Sequence, residues 1–449
     1  MTSTLTELLA QERERFSAAN PRSRAAHEEA RQHLLGGVPM PWMSKWAGGF
    51  PLCLAEARGA RVVDVDGHEY ADLCLGDTGA MAGHSPPATV AAVRERLEEL
   101  GGATAMLPSE DAAWVGGELA WRFGLPQWQF TLSATDANRF ALRICRQLTG
   151  RRRVLVFAWC YHGSVDETFV VLADGRPRAR PGLVGAAVDP TETTAVVEFN
   201  DVGALEDALA SEDIACVLAE PALTNIGIVL PEPGLWTAVR EACDRTGTLL
   251  IVDETHTFSA GPGGCTTAWG LQPDVVTLGK AIGGGVPIGA YGVSADVAAR
   301  IAADTEGDYE DVGGVGGTLA GNALSLAAAR ATLDAVLTED AFARMTGLQE
   351  RFSAGVHAAI ERHALPWSIV QLGARAEYRF TPRPPRTGAE SAAAADAELE
   401  DYLHLALLNR GVLMTPFHNM ALMAPTTEES DVDLHTAAFD EAVTDLTAA

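Results

Sequence analysis

Short apolar segments alternate with amphipathic segments through the middle of the chain, and this alternation restricts the possible folds more than any other feature of the sequence. The expected strands lie at 129–132, 154–157, 215–219, 249–252, 275–278 and 289–293, and the expected helices include 137–148, 202–210 and 234–246. Strands that alternate with helices in this way form a mostly parallel sheet with helices on both faces. The sequence therefore predicts a large, doubly wound α/β domain.

The segments on either side of this domain predict a smaller α+β domain. Residues 4–35 have helical spacing and open with Thr4 and Glu7 placed as a capping box. Other expected elements are a β-hairpin at 61–70, helices at 340–363 and 396–409, strands at 377–380 and 411–413, and a loop or linker at 382–395. A long helix expected at 322–336 ends the large domain. The expected domains are an N-terminal arm and hairpin at 1–75, which belong to the small domain, a large domain at 76–337 and a C-terminal small domain at 338–449.

The composition excludes several classes of function. The 449 residues carry a formal net charge of −27, which disfavours binding to nucleic acids and to anionic membranes. No apolar run is long enough to cross a bilayer, and residues 1–15 are too polar for a signal peptide, so we expect a cytoplasmic protein. The seven cysteines are scattered in mostly apolar surroundings, which indicates reduced core thiols and neither a disulfide framework nor a metal site.

An acid and a lysine follow two of the expected strands. Asp253 comes directly after 249–252, and Lys280 follows 275–278, in the position where α/β proteins place their functional groups. An enzyme that uses pyridoxal 5'-phosphate needs a lysine that forms a Schiff base with the cofactor aldehyde and a carboxylate that keeps the pyridine nitrogen protonated. Each residue alone is ordinary, because a lysine after a strand is usually solvated and an Asp-Glu pair often forms a turn or a helix cap.

A third feature is the segment 133–138, which lies between an expected strand and an expected helix. Small residues and hydroxyls at the start of a helix leave backbone N–H groups exposed, and the helix dipole there favours a phosphate. An ordinary helix cap uses the same residues, so this segment alone does not decide between the two.

Together, these features resemble the class III aminotransferases, in particular the branch that contains glutamate-1-semialdehyde aminomutase. The resemblance covers nearly the whole chain, and its motifs stand in the family's order. The motifs are Ser133-Ala134-Thr135-Asp136-Ala137, Tyr161-His162-Gly163, Glu220-Pro221 with Asn225 and Gly227, Asp253-Glu254, Thr277-Leu278-Gly279-Lys280 with Gly283-Gly284-Gly285 and Pro287-Ile288-Gly289, and Gly317-Thr318. Several motifs in the right order are far more specific than any one of them. The resemblance implies pyridoxal phosphate fold type I, with pyridoxal 5'-phosphate as the cofactor.

The resemblance also implies a role for individual residues. Lys280 would be the Schiff-base lysine, and Asp253 would hold the pyridine nitrogen. The ring of Tyr161 would stack over the cofactor, and Asn225 would reach its ring hydroxyl. Thr318 would bind the phosphate of the cofactor in the neighbouring subunit, which implies a homodimer. The full set of implied cofactor-binding residues is Ser133, Ala134, Thr135, Tyr161, His162, Glu220, Asn225, Asp253, Thr255, Lys280 and Thr318.

The substrate side departs from the family pattern. Met43 stands about where the branch commonly has an arginine that binds a substrate carboxylate, and the segment 415–419 contains no arginine either. A carboxylate buried without a partner is costly, so an apolar pocket favours an apolar amine. The expected substrate-binding residues are Trp42, Met43, Trp46, Phe417 and His418. We therefore expect an amine (ω) transaminase that passes an amino group from a small-molecule amine donor to a keto acid or an aldehyde by a ping-pong mechanism.

Three alternatives remain open. A β-amino-acid transaminase would need a carboxylate partner, which Arg375 or Arg379 could supply. An aminomutase uses the same catalytic residues, although Met43 argues against a substrate that bears a carboxylate. The third alternative is a protein that binds the cofactor without catalysis, and the presence of both Lys280 and Asp253 argues against it.

Overall fold

The computed structural model describes residues 4–303 and 314–448. The strands are β1 (Leu54–Arg58), β2 (Arg61–Asp64), β3 (Glu69–Asp72), β4 (Gln127–Thr131), β5 (Arg153–Phe157), β6 (Val170–Ala173), β7 (Arg176–Ala179), β8 (Thr194–Val197), β9 (Ile214–Ala219), β10 (Leu249–Asp253), β11 (Val275–Leu278), β12 (Gly289–Val293), β13 (Ser368–Leu372), β14 (Arg375–Arg379), β15 (Val412–Leu413) and β16 (Met420–Leu422).

The α-helices are α1 (Leu5–Ala19), α2 (Pro21–Ala30), α3 (Pro87–Glu95), α4 (Glu110–Phe123), α5 (Ala134–Thr149), α6 (Val202–Leu209), α7 (Leu235–Thr246), α8 (Gly264–Ala268), α9 (Ala295–Ala303), α10 (Ala323–Ala335), α11 (Glu339–Arg362), α12 (Gly388–Ala393), α13 (Ala397–Leu408) and α14 (Glu429–Ala448). A π-helical turn lies at Arg96–Leu100, and 3₁₀ turns include Pro41–Ser44, Thr257–Ala260 and Lys280–Gly283.

The chain divides into two compact units. The large unit comprises Pro87–Phe342 and Pro385–Ala393, and the small unit comprises Met1–Pro86, Ala343–Pro384 and Ala394–Ala449. The domain limits expected from the sequence, after residues 75 and 337, lie 11 and 5 residues before these limits, and the return of 385–393 to the large unit was not expected.

A seven-stranded sheet forms the centre of the large unit, in the order β4-β12-β11-β10-β9-β5-β8. β12 runs antiparallel to both of its neighbours, and the other paired strands run parallel. The strands in the middle of the sheet are buried along nearly their whole length, and α5 packs against β9, β11 and β12. The predicted doubly wound, mostly parallel α/β domain is confirmed.

The register of this sheet brings the carboxyl ends of β10 and β11 together. Asp253, the last residue of β10, is paired with Thr277 of β11, and the N–H of Glu254 donates to the carbonyl of Thr277 at 2.8 Å. Lys280 begins the turn that follows β11 after Gly279. The acid and the lysine singled out in the sequence therefore lie at one edge of the sheet, where open α/β folds bind their ligands.

The small unit contains two sheets, β1-β2-β3-β15 and β13-β14-β16. The predicted hairpin is confirmed as β2 and β3, and the predicted capping box closes α1, because Glu7 N–H donates to Thr4 Oγ1 at 3.3 Å and Thr4 N–H donates to Glu7 Oε2 at 2.8 Å. α1 packs against α13, and α13 packs against α14.

Two expected elements differ from the structure. The expected continuous helix over 4–35 is wrong, because Asn20 leaves the helical conformation and Pro21 starts a second helix; proline disfavours helical backbone in the residue before it. The expected loop at 382–395 contains the short helix α12. Among residues 4–303 and 314–448, each helix is too short or too polar to span a membrane.

Candidate active site

Asp253 is the centre of a buried hydrogen-bond network in the large unit. Its Oδ2 accepts from Asn138 Nδ2 at 2.8 Å and lies 2.8 Å from His162 Nδ1, while its Oδ1 accepts from the N–H of Thr255 at 3.0 Å. Asn138 is itself held by Thr277, whose hydroxyl donates to Asn138 Oδ1 at 2.6 Å. Because α5, β10 and β11 each contribute to this network, the position of the Asp253 carboxylate is fixed by the sheet and the helix together.

The protonation states of Asp253 and His162 depend on each other. Burial alone would raise the pKa of Asp253, but the hydrogen bond and positive charge of His162, with the hydrogen bonds from Thr255 and Asn138, hold it below its usual value. Burial alone would lower the pKa of His162, but Cys160 and the Asp253 carboxylate raise it well above its usual value. Each group therefore favours the charged form of the other, the carboxylate of Asp253 and the protonated form of His162. An ionised carboxylate at this place is what the protonated pyridine nitrogen of pyridoxal 5'-phosphate requires.

Lys280 has an uncommon backbone conformation. Its φ is +49°, in the left-handed region that non-glycine residues seldom adopt. The side-chain Nζ lies 2.8 Å from Nε2 of His256. Strained backbone of this kind persists where the surroundings fix it, and it is common at functional sites.

The start of α5 forms a close junction with the segment that carries Lys280. Ser133 caps the helix, and its hydroxyl accepts from the N–H of Asp136 at 3.2 Å. A Cβ at Gly279 would stand 2.9 Å from the backbone nitrogen of Ala134, and a Cβ at Gly163 would stand 2.0 Å from Thr135 Oγ1. Only glycine permits these approaches, which bring the helix start next to both the lysine turn and the 161–163 motif.

The same junction fits the phosphate of pyridoxal 5'-phosphate. The first turn of a helix leaves N–H groups without partners inside the helix, and α5 places those of Ala134 and Thr135 there. The helix dipole adds a partial positive charge at this end. Donors for a phosphate, a lysine amine and an ionised carboxylate thus stand within one unit, and the residues present fit the cofactor.

Glu220, Tyr161 and Asn225 lie beside this network. Glu220 Oε1 accepts from the N–H of Tyr161 at 3.1 Å, and its Oε2 accepts from Thr224 Oγ1 at 2.5 Å. Burial raises the pKa of Glu220 above its usual value, although the charge of His162 acts against that rise. Asn225 Nδ2 donates to the carbonyl of Trp159 at 3.5 Å. Glu220 therefore fixes the backbone of Tyr161 and with it the origin of the Tyr161 side chain.

Glu254, which the sequence suggested only as part of the acid motif, anchors the turn after β10. Its carboxylate accepts from Thr257 Oγ1 at 2.5 Å, from the N–H of Cys265 at 3.2 Å and from Thr266 Oγ1 at 2.6 Å. Burial raises the pKa of Glu254, while these hydrogen bonds oppose that rise. This turn carries His256 and places its imidazole beside the amine of Lys280. Sequence reasoning missed His256, although it lies only three positions beyond Asp253.

The expected substrate-binding residues lie in the small unit. Trp42 and Phe417 meet edge to face with ring centroids 5.4 Å apart, and Lys45 Nζ lies 5.8 Å and 5.5 Å from the two centroids. Met43 is 45% exposed, and Trp46 packs edge to face on His404 at 5.5 Å. Lys45 is therefore a cation beside the aromatic pair. The absence of an arginine in the two expected segments did not reveal it.

His418 follows Phe417 and is held by a buried acid. Its Nδ1 lies 3.2 Å from Oε1 of Glu377. Burial alone would lower the pKa of His418, but the Glu377 carboxylate raises it above its usual value. Glu377 therefore favours the protonated form of His418 and compensates its positive charge.

The two arginines considered as carboxylate partners are buried and engaged. Arg375 Nη2 donates to Thr78 Oγ1 at 2.8 Å and lies 3.4 Å from Asp77 Oδ1. Arg379 Nη1 lies 3.5 Å from Glu400 Oε1. Using either arginine for a substrate would require breaking the ion pair of a buried arginine with a half-buried acid, which is costly.

Thr318 lies in an exposed turn of the large unit that ends at the N-cap of α10, Asn322.

Residues 42–443 match the family described as aminotransferase class-III. Glutamate-1-semialdehyde 2,1-aminomutase of Sorangium cellulosum is 35% identical to this chain over 431 residues, which cover 94% of this chain and 96% of that protein. Among solved structures, a glutamate-1-semialdehyde aminomutase of Pseudomonas aeruginosa PAO1, a lysine-to-alanine variant in complex with PMP, is 49% identical with a TM-score of 0.96, and 98% of each chain is covered. An omega-transaminase of Sphaerobacter thermophilus is 29% identical with a TM-score of 0.85, over 94% of this chain and 97% of that one.

Proposed function

Because the chain belongs to the class III aminotransferases, we propose that it is a pyridoxal 5'-phosphate-dependent transaminase whose amine donor carries no carboxylate. The observation that carries the transfer chemistry is the placement of Lys280 and the ionised Asp253 at the ends of two adjacent strands. The amino group would pass to a keto acid or an aldehyde in a second half-reaction.

Different residues of this chain would have different roles in the reaction. When bound, the cofactor supplies an aldehyde that takes up the amino group and a ring that withdraws electrons. Asp253 would keep the ring nitrogen protonated, because its own pKa is held low. The start of α5 would bind the phosphate through Ser133, Ala134 and Thr135. Nζ of Lys280, once free, would remove a proton from one substrate carbon and return it at another atom as general base and acid.

The substrate class follows from the small unit. Trp42 and Phe417 offer aromatic surface, and Met43 stands about where an arginine would bind a carboxylate. Arg375 and Arg379 are buried and already paired with the half-buried acids Asp77 and Glu400. An apolar amine suits such surroundings better than an amino acid, since a carboxylate would lack an arginine partner.

One further candidate is an aminomutase. Its support is the 49% identity to the Pseudomonas aeruginosa glutamate-1-semialdehyde aminomutase and the names of the relatives at 32–35% identity. Lys45 supports it as well, because its ammonium could attract the carboxylate of such a substrate. Lysine binds a carboxylate as a point charge and lacks the two-pronged geometry of arginine.

A substrate panel separates these functions. The cofactor-loaded protein is mixed separately with 1-phenylethylamine, β-phenylalanine, α-amino acids such as glutamate, and glutamate-1-semialdehyde, and the cofactor absorbance band is followed. Loss of the band with 1-phenylethylamine alone supports the amine transaminase. Loss only with an amino acid contradicts the proposal, isomerisation of the semialdehyde favours the aminomutase, and no change with any compound favours a binding protein without catalysis.

We also propose a homodimer in which Thr318 contacts the cofactor phosphate of the partner subunit. Its support is the motif Gly317-Thr318 and the exposure of that turn in the isolated chain. Sedimentation of the loaded protein tests the dimer, and a monomer that retains full activity would contradict it.

A further inference from the structure

His256 lies beside the amine of Lys280. Its Nε2 lies 2.8 Å from Nζ, within hydrogen-bond distance, and the histidine is only 8% exposed. For Nζ to keep its lone pair available for an aldehyde, Nζ must donate in this contact and Nε2 must accept. The contact therefore requires the imidazole tautomer whose proton is on Nδ1.

The turn that carries His256 is held from several sides. The carbonyl of His256 accepts from Ser259 Oγ at 3.0 Å, and the N–H of Phe258 donates to the carbonyl of Glu254 at 2.8 Å. The neighbouring Thr257 hydroxyl donates to the Glu254 carboxylate at 2.5 Å. The imidazole thus stands on a fixed support, whereas lysine has a long, flexible side chain that needs an external partner to hold one position.

We propose that His256 is the positioning residue of Lys280. In the cofactor-free protein, Nε2 of His256 holds Nζ of Lys280 at the position where this amine meets the aldehyde of the incoming cofactor. It also accepts a hydrogen bond from the ammonium that forms when Lys280 removes a proton from a substrate carbon. The second half of this inference rests on the proposed transaminase function, and the first half does not.

The proton transfer balances without any further reactant. The substrate C–H bond would break, its electron pair would stay on the substrate, from which the bound cofactor would withdraw electrons, and the lone pair of Nζ would form a third N–H bond. The positive charge that Nζ gains is stabilised by the lone pair of Nε2. Returning the proton reverses these changes, and His256 remains neutral throughout. Hydrogen bonds of a charged group are about twice as strong as those between neutral groups, so such an acceptor favours the charged state.

The sequence contains two lysines, Lys45 and Lys280, so covalent capture of the cofactor can be measured separately at each of them. Cofactor-free full-length protein is mixed with pyridoxal 5'-phosphate, and samples are reduced with borohydride at set times. Mass spectrometry of the peptides then gives the rate of covalent capture at each lysine. Lys45 lies in the small unit and serves as the internal control.

Two substitutions of His256 distinguish a hydrogen-bonding role from a purely steric role. His256→Gln keeps a side-chain acceptor, whereas His256→Leu keeps bulk without one. We expect capture at Lys280, which needs the neutral amine, to be about 3- to 10-fold slower in His256→Leu, the range of a hydrogen bond between neutral groups, and within roughly twofold of the wild type in His256→Gln, where an acceptor remains. Capture at Lys45 should not change, and the exposed His357→Leu should behave as the wild type. Equal rates in His256→Leu and the wild type would overturn the proposal, as would equally slow capture in both His256 variants.

The wild-type protein provides a measurement that does not depend on the folding of a variant. In protein labelled with ¹⁵N-histidine, Nε2 of His256 should resonate as an unprotonated nitrogen at neutral pH, and a protonated Nε2 would contradict the proposal. In the half-reaction with an amine, His256→Leu should lower kcat with little change in KM. If the wild type captures the cofactor at Lys280 but consumes no amine, the proposed function fails while the capture data still decide the positioning role.

Discussion

Replacing Gly279 by alanine should damage the junction between the lysine turn and the start of α5. The added Cβ would stand 2.9 Å from Ala134 N, 3.1 Å from Ala134 Cβ and 3.3 Å from the carbonyl oxygen of Ile288. Two of these three atoms belong to the backbone and cannot rotate away. Gly279 has a φ of −167°, which alanine also adopts, so the expected damage comes from crowding alone.

The magnitude follows from the cost of overpacking. Forcing a methyl group into a well-packed site costs about 1–3 kcal/mol. At about 2–4 °C per kcal/mol for units of this size, the Tm of the cofactor-free protein should fall by roughly 2–12 °C. The cofactor should also bind more weakly, since relief of the clash moves Lys280 away from the donors at Ala134.

A matched glycine provides the control. Gly117 lies within α4, and a Cβ there would meet no atom within 4 Å. Gly117→Ala should raise stability by about 0.5–1 kcal/mol, because alanine is the better helix residue. Thermal unfolding and equilibrium binding of pyridoxal 5'-phosphate are measured for both variants. If Gly279→Ala matches Gly117→Ala in both measurements, the close approach of the lysine turn to α5 is refuted.

Three further substitutions test other parts of the site. The pKa of Asp253 is held low and that of His162 is raised, so the pair stabilises the fold fully between about pH 4 and 6.5. This contribution is lost as the pH falls through the pKa of Asp253 or rises through that of His162. The Tm difference between the wild type and His162→Gln should therefore be largest near pH 6 and shrink in alkali, and a constant difference would contradict the ion pair. Glu254→Gln replaces one carboxylate oxygen by an NH2 group, so that either Thr257 or Thr266 loses its acceptor. This should cost about 1.5–3 kcal/mol, the value of a hydrogen bond to a charged group, and should lower the Tm and speed proteolysis after β10. Unchanged proteolysis would be the contrary result. Lys45→Met should leave turnover of 1-phenylethylamine unchanged and abolish any turnover of carboxylate-bearing substrates, and equal effects on both substrate classes would exclude Lys45 as a carboxylate partner.

The sequence predicted the large unit well because its strands are local and strongly patterned. β9, β10 and β11 are short apolar runs bounded by turns and helices, and such runs need no long-range information to be recognised. The match to the class III aminotransferases confirms the resemblance seen in the motifs and with it pyridoxal 5'-phosphate as the cofactor. The individual cofactor and substrate contacts expected from those motifs stay predictions.

The missed features depend on contacts between distant segments. Asn138 reaches Asp253 across 115 positions of the chain, so sequence spacing alone could not pair them. The contact of His256 with Lys280 depends on the turn that Glu254 anchors through residues 257–266, and no local pattern reveals that turn. β8 was missed because its four residues are too few to show a clear period. The break at Asn20 was the exception, since the proline after it was visible in the sequence.

The central claim is that Lys280 carries the cofactor, and locating the covalent attachment tests it most directly. The loaded protein is reduced with borohydride and digested, and the peptides that contain Lys45 and Lys280 are compared by mass spectrometry. The account predicts one pyridoxyl group per chain, on Lys280, and none in a Lys280→Ala variant. Attachment at Lys45, or an unmodified Lys280 in protein that retains transaminase activity, would contradict it.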